Sequence, residues 1–173
     1  MNLRTLLTAI AAFCGFTMIA NAEPLAVGAT APELTAVDQD GKSVNLKDVY
    51  AKGPTLVYFY PKADTPGCTK QGCSIRDSWE DLKKAGIQVV GVSEDSVEAQ
   101  KAFAEKYKLP HTLIADSDGK VAAAFQVDMK GTKTSRQSFL IKDGKVAWNM
   151  LKGTTTETHA KDVLAAYEGL SKK

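Results

Sequence analysis

The chain has 173 residues, 44% of them hydrophobic and 24% charged, the proportions of one globular domain around a single core. The formal charge is only +2 and the basic residues are scattered along the chain, which excludes a nucleic-acid footprint and leaves a mixed, solvated surface.

The first 22 residues stand apart. Met1 to Arg4 supply a short positive start, Leu6 to Ile19 an apolar run, and Ala20-Asn21-Ala22 a small-x-small cleavage site, the pattern of an export signal removed after Ala22. The apolar run falls short of the roughly 20 residues that a membrane span needs, so a retained anchor is the lesser alternative. Cys14 lies inside the run behind the bulky Phe13, unlike the small residue that precedes a lipid-attachment cysteine, and would be discarded with the signal. Residues 23–173 then form the mature domain, with no membrane association. Loss of Arg4 takes the formal charge from +2 to +1, and Cys68 and Cys73 are the cysteines that remain.

In chain order, residues 33–46 (ELTAVDQDGKSVNL) predict a small hairpin turning at Asp40-Gly41. The run TLVYFY (55–60) and the run IQVVGVS (87–93) predict buried strands, with one helix from Pro66 to Ala85 between them, ended near Gly86. A second helix is expected over 96–108, capped by Ser96, with Ala99, Phe103 and Tyr107 on its inner face. A short strand (111–116) and a hairpin over 138–150 turning at Asp143-Gly144 follow. A last helix over about 155–170 closes the chain, its N-terminal threonines able to cap it and Val163, Leu164 and Tyr167 facing inward. This order predicts an α/β fold with a mixed central sheet, helices on both faces and an N-terminal hairpin.

The segment YPKADTPGCTKQGCSIRD (60–77) carries the chemistry. Thr65 is a favoured N-cap residue, Pro66 suits the first helical position, and Cys68 falls at the third. First-turn amides lack intrahelical acceptors, and the positive end of the helix dipole favours a thiolate over a thiol. Two cysteines in an exported chain read most simply as a disulfide. Five residues of α-helix, however, separate two Cα atoms by about 7.5 Å of rise and about 500° of rotation, or roughly 8.6 Å. A disulfide needs less than about 7 Å. A helical 68–73 segment therefore has to unwind before its cysteines can bond, which argues for a switch over a permanent staple. Gly72 would lower the cost of unwinding by about 1 kcal/mol relative to alanine.

Pro61, Thr65 and Cys68 match the P-x3-T-x2-C signature of peroxiredoxins, and TPGCTKQGCSIRD (65–77) resembles the subgroup called bacterioferritin-comigratory protein or PrxQ. The segment RQSFLI (136–141) resembles that family's arginine-bearing strand, and the likeness runs from VGATAPELTAVDQDGKSVNLKD to the last helix. The family more often has alanine where Gly72 stands. The resemblance implies a thioredoxin-like fold and hydroperoxide reduction without metal or organic cofactor. It makes Cys68 the attacking cysteine, which becomes a sulfenic acid, and Cys73 the resolving one, which closes an intrachain disulfide. Thr65 would hold the peroxide, Arg136 would stabilise the thiolate and the leaving oxygen, and Pro61 would shield the pocket. It also implies a thioredoxin-like protein reductant, and an internal resolving cysteine removes the need for a dimer, so a monomer is expected.

The competing readings are an exported thiol-disulfide oxidoreductase of the same fold, against which the C-x4-C spacing weighs because such proteins mostly carry C-x-x-C, and a binding module with an inert bridge. Metal binding needs about four ligands at close spacing, whereas His111 and His159 lie far from the cysteines. His111 is expected at a strand edge, His159 on a solvent-facing helix surface, and Trp79 and Trp148 as packing aromatics. The loop DSDGK (116–120) lacks the later ligands of a calcium loop and reads as a turn.

Overall fold

The computed structural model describes residues 23–172; the expected signal sequence and Cys14 lie outside the described residues. In chain order the elements are β1 (Thr35–Val37), β2 (Ser43–Asn45), α1 (Leu46–Tyr50), β3 (Thr55–Phe59), α2 (Pro66–Asp77), α3 (Trp79–Lys84), β4 (Gln88–Ser93), α4 (Val97–Tyr107), β5 (Thr112–Ala115) and α5 (Lys120–Ala124). They are followed by β6 (Met129–Lys130), β7 (Lys133–Thr134), β8 (Ser138–Lys142), β9 (Lys145–Met150) and α6 (His159–Ser171).

The central sheet has the order β5-β4-β3-β8-β9. Its β3/β4 and β4/β5 pairs are parallel, and its β3/β8 and β8/β9 pairs are antiparallel. The parallel pairs require crossover helices, and the antiparallel hairpin closes with Asp143 and Gly144 at φ 52° and 71°, the doubly left-handed turn that matches strand twist. Strand alternation divides the core in two. Leu56, Tyr58 and Tyr60 face α2, α3, α4 and α6, whereas Val57 and Phe59 face α1 and α5. The expected mixed sheet with helices on both faces and a β1–β2 hairpin is therefore what forms.

Three local features differ from expectation. The helix expected over 66–85 is two helices broken at Ser78 (φ −104°, ψ 14°), so that α3 leaves the line of α2 while still ending at Gly86. There Gly86 (φ 74°) donates to the Lys83 carbonyl at 2.9 Å and Ile87 to that of Leu82 at 2.9 Å, an αL cap that glycine adopts without steric cost. On α4, capped by the Ser96 hydroxyl as expected, Ala99 is exposed and the buried polar Gln100 takes the inward position. Gln100 is satisfied there, donating to Ser93 Oγ and to the Ile114 carbonyl and accepting from the Tyr60 hydroxyl, so its burial leaves no polar group orphaned. The last helix starts at His159 rather than near 155; the hydroxyls of Thr155 and Thr158 donate to Asp162 and cap no first-turn amide. Asp116 behaves as the turn reading of residues 116–120 requires, its carboxylate accepting from the amides of Val121 and Ala122 at the start of α5.

Two glycines make room for large side chains in the core. A Cβ on Gly72 would stand 3.2 and 3.3 Å from the Leu109 methyls and 3.6 Å from Phe103, so glycine lets α2 lie close on α4. On Gly91 a Cβ would meet the Tyr58 hydroxyl at 2.7 Å and Leu113 Cδ2 at 2.8 Å. That space is what lets Tyr58 cross β4 to His111. We expect Gly91→Ala to lower unfolding free energy by about 3 kcal/mol, the upper end of core overpacking, read as a fall in the urea midpoint at unchanged slope. An unchanged midpoint would show that β4 yields freely.

Candidate active site

The loop after β3 is pinned from several directions before α2 begins. Ala63 N–H donates to Asp95 Oδ2 at 2.7 Å, the Tyr60 carbonyl accepts from the Thr134 hydroxyl at 3.1 Å, and Asp64 receives Lys106 Nζ (2.7 Å) and the Tyr107 hydroxyl (2.6 Å). Those two partners hold the exposed Asp64 carboxyl below its usual range, the Lys106 hydrogen bond contributing most. Asp64 itself sits at φ 57°, a left-handed position that aspartate tolerates better than bulkier residues. Pro61, half-buried, lies at the start of this anchored loop.

Thr65 is the N-cap residue of α2 by backbone geometry (φ −92°, ψ 153°), but its hydroxyl caps no amide. It donates instead to the Lys62 carbonyl at 3.0 Å, correcting the capping role expected for that side chain. The reason is the loop's own need: the Lys62 carbonyl is satisfied locally, while the Thr65 hydroxyl oxygen keeps lone pairs able to accept from a ligand. The first intrahelical bond of α2 runs from Thr69 N–H to the Thr65 carbonyl at 2.8 Å, so the Gly67 and Cys68 amides precede the hydrogen-bonded ladder.

Cys68 is 2% exposed, and Arg136 Nη2 donates to its sulfur at 3.4 Å. Arg136 reaches it because β8 is antiparallel to β3 with Ser138 opposite Tyr58, and because the Phe59 amide donates to the Gln137 carbonyl at 2.8 Å. The arginine thus projects past the C-terminal end of β3, where α2 starts. Gly67 permits the approach, since a Cβ there would stand 3.2 Å from Arg136 Nη2. The second arm of the guanidinium, Nη1, donates to Gln71 Oε1 one helical turn beyond Cys68. A cleft of roughly 380 Å³ opens beside Arg136, lined also by Lys130, Lys152 and Thr154.

Cys73 lies on the same unbroken helix, partly buried, and both cysteines are free thiols. The structure therefore brings Arg136 to the Cys68 sulfur, places Thr65 three residues before it at the N-cap of the same helix, and holds Cys73 five residues further along α2, with Pro61 in the loop that leads in. Among the described residues no group of three or more histidine, cysteine or acidic side chains is placed to hold a metal ion.

Both histidines correct their sequence reading. His111 is buried next to β5, with Nε2 2.8 Å from the Tyr58 hydroxyl, and its centroid lies 6.2 Å from the Trp79 ring. Burial, with some help from His159, lowers its pKa to about 3. His159 is fully buried as the first residue of α6, with Nδ1 3.2 Å from Gln71 Nε2 and Nε2 2.8 Å from Ser138 Oγ. Its pKa is lowered to about 4 by burial, opposed by Asp162 and reinforced by Arg136. Gln71 and His159 escaped the sequence reading because an exposed polar residue and a buried paired one look alike in a helical pattern. The signal was present for Gln71, which at three residues beyond Cys68 shares its helix face.

Residues 27–149 match the AhpC/TSA family model. The chain is 44% identical over 146 residues to the chloroplastic peroxiredoxin Q of Sedum lineare, covering 83% of this chain and 78% of that one. Among solved structures it resembles peroxidoxin BcpB of Mycobacterium tuberculosis at a TM-score of 0.79 and 32% identity, over 83% of this chain and 96% of that one. It also resembles the Xanthomonas campestris bacterioferritin comigratory protein, studied for alkyl peroxide reduction, at a TM-score of 0.72 and 29% identity, over 79% and 90% of the two chains.

Proposed function

The chain belongs to the AhpC/TSA family, on the peroxiredoxin Q side of it, and from that membership we propose how this thiol peroxidase works and where. The Cys68 thiolate attacks the terminal oxygen of a hydroperoxide; an S–O bond forms, the O–O bond breaks, and the departing oxide takes a proton and leaves as water or an alcohol. Sulfur is oxidised and peroxide reduced. The Arg136 fork, one arm on the sulfur, stabilises the thiolate before attack and the negative oxygen after it. Thr65 accepts a hydrogen bond from the peroxide, and Pro61 packs against the pocket to limit water. After α2 unwinds, Cys73 attacks the sulfenic sulfur, an S–S bond forms and water leaves. A thioredoxin-like dithiol protein then restores both thiols.

The observation that carries this reading is Arg136 Nη2 at 3.4 Å from a sulfur at the third position of α2, with the second free thiol on the same helix. Hydrogen peroxide and alkyl hydroperoxides are the proposed substrates, the latter in keeping with the activity named for the Xanthomonas campestris relative. The apolar run and small-x-small site before Glu23 differ from the Arg- and Ser-rich pattern of a transit peptide, and support export to the periplasm with cleavage after Ala22 to leave a 23–173 domain. Its reductant is then an exported one. None of the described helices is long and apolar enough to cross a membrane. A monomer suffices, because the resolving thiol is internal.

Stopped-flow mixing with hydrogen peroxide tests the roles. Cys73→Ser is expected to leave the first oxidation of Cys68 within about twofold of the parent, the scale of a residue outside the first transition state, and to trap a sulfenic acid that dimedone labels. Loss of the fast first phase in that variant would contradict the division of labour. Insulin reduction without peroxide turnover would instead favour a disulfide oxidoreductase.

A further inference from the structure

The start of α6 is fastened to the part of α2 that lies between and beside the two cysteines. Lys70 Nζ meets Glu157 Oε1 at 2.7 Å, Gln71 Nε2 meets His159 Nδ1 at 3.2 Å, and the Ala160 amide donates to Ser74 Oγ at 3.2 Å. The middle contact is buried and continues in both directions. Gln71 accepts from Arg136 Nη1, and Arg136 Nη2 reaches the Cys68 sulfur; on the far side His159 Nε2 meets Ser138 Oγ on β8. Because the Gln71 amide nitrogen can only donate, His159 Nδ1 is its acceptor, so the imidazole proton is on Nε2 and is given to Ser138. The ring is thus neutral and fully satisfied only while Gln71 is in place.

Gln71 is inside the 68–73 segment that must lose its helical form before the sulfurs can meet, since the helical separation exceeds disulfide reach. Closing that bond withdraws Gln71 from both Arg136 and His159, whereas Ser138 stays fixed in the sheet between β3 and β9. We propose that His159 is a positioning residue of the site, holding Gln71 and through it Arg136 against the reduced cysteine, and that it is released to take up a proton when α2 unwinds to form the disulfide. This rests on the Cys68–Cys73 reading above.

The groups that face the ring are consistent with such a change. Arg136 disfavours its cation, Asp162 on α6 favours it, Tyr58 packs at 5.5 Å edge-on, and Gln71 and Ser138 bond the neutral form. In the reduced protein burial is the largest cause of the depressed value of about 4, against an ordinary 6.5. The sign follows: the helical form binds no proton at His159 between those limits and the unwound form does, so lowering the pH through that window favours the unwound, disulfide form.

The chain contains two histidines, so a proton–carbon NMR titration resolves each, with His159→Gln assigning the peaks. The measurement is made on the full mature protein, reduced and then peroxide-treated, with mass spectrometry recording the Cys68–Cys73 link on the same samples. The expected result is that His159 titrates near 4 when reduced and moves up toward 6.5 in the disulfide form, while His111 keeps its low value. In addition, His159→Gln, whose amide can still face Gln71, should keep the first-step rate within about threefold. His159→Leu should slow it about tenfold and displace its pH profile, a displacement that mere loss of stability would not give. A linked disulfide with an unchanged His159 titration overturns this inference alone; absence of the link overturns it together with the catalytic reading.

Discussion

Cys68→Ser is expected to remove peroxide reduction by at least about 10⁴-fold, the scale on which loss of a covalent nucleophile is read. Serine occupies the same first-turn position and keeps a hydrogen-bonding oxygen for Arg136, so the fold and the approach of Nη2 are retained. What is lost is the sulfur nucleophile that accepts an oxygen from the peroxide. The variant should unfold at a denaturant concentration close to the parent's, and its remaining Cys73 should react with peroxide no faster than an ordinary exposed thiol. Rapid oxidation of Cys73 in that background would transfer the nucleophile's role to the second cysteine.

Arg136→Met is expected to slow the first oxidation by about 10² to 10³, the range for removing one preorganised donor from a developing anion. Methionine keeps much of the packing volume but supplies neither arm of the fork. Arg136→Lys should recover only part of the loss. A single ammonium can approach the sulfur or Gln71 Oε1, whereas the guanidinium serves both from one rigid plane. The comparison separates charge from geometry: equal rates for lysine and arginine would reduce the role of Arg136 to a positive potential. Single-turnover measurement on the pre-reduced protein, with free reductant removed, keeps the later disulfide chemistry out of the rate.

The sheet and the thiol-bearing helix start were legible because each leaves a local mark. Segments 55–60 and 87–93 are short, mainly apolar and β-branched or aromatic runs, Asp143-Gly144 is a left-handed turn dipeptide, and Thr65-Pro66-Gly67-Cys68 writes a helix start with a thiol on it. What escaped was set by tertiary packing. Ser78 breaks α2 from α3 although the surrounding residues suit a continuous helix, and nothing in the 78–80 triplet differs from an ordinary helix surface. Gln100 and His159 are buried polar side chains whose partners lie on distant strands or helices, Ser93 and Ile114 for the first and Gln71 with Ser138 for the second, while His111, expected at a strand edge, is buried with Nε2 on the Tyr58 hydroxyl and Nδ1 unpaired among the described residues. Burial of a polar group depends on whether its partner exists, and sequence separation hides the partner. Gly72 shows the same limit. Its low helix propensity was visible, while its second purpose, space for Leu109 and Phe103, required the fold.

On the mechanism proposed above, α2 is a two-state element: helical, it presents Cys68 to Arg136 at its first turn and keeps Cys73 out of reach; unwound, it would let the sulfurs join. The energy that opposes unwinding comes from the seam with α6 and from Arg76, whose Nη1 donates to the Tyr107 carbonyl at 2.8 Å at the far end of the helix. Single hydrogen bonds of this kind contribute about 1 kcal/mol each, few enough for a disulfide to overcome.

Amide hydrogen exchange across residues 69–75, compared between the reduced protein and its peroxide-formed disulfide, is the most direct test of that switch. Slow exchange is expected throughout this stretch when reduced and fast exchange at residues 69–73 once the disulfide has closed, with β3 and β8 unchanged. Equal protection in both forms, with the Cys68–Cys73 link verified, would contradict it.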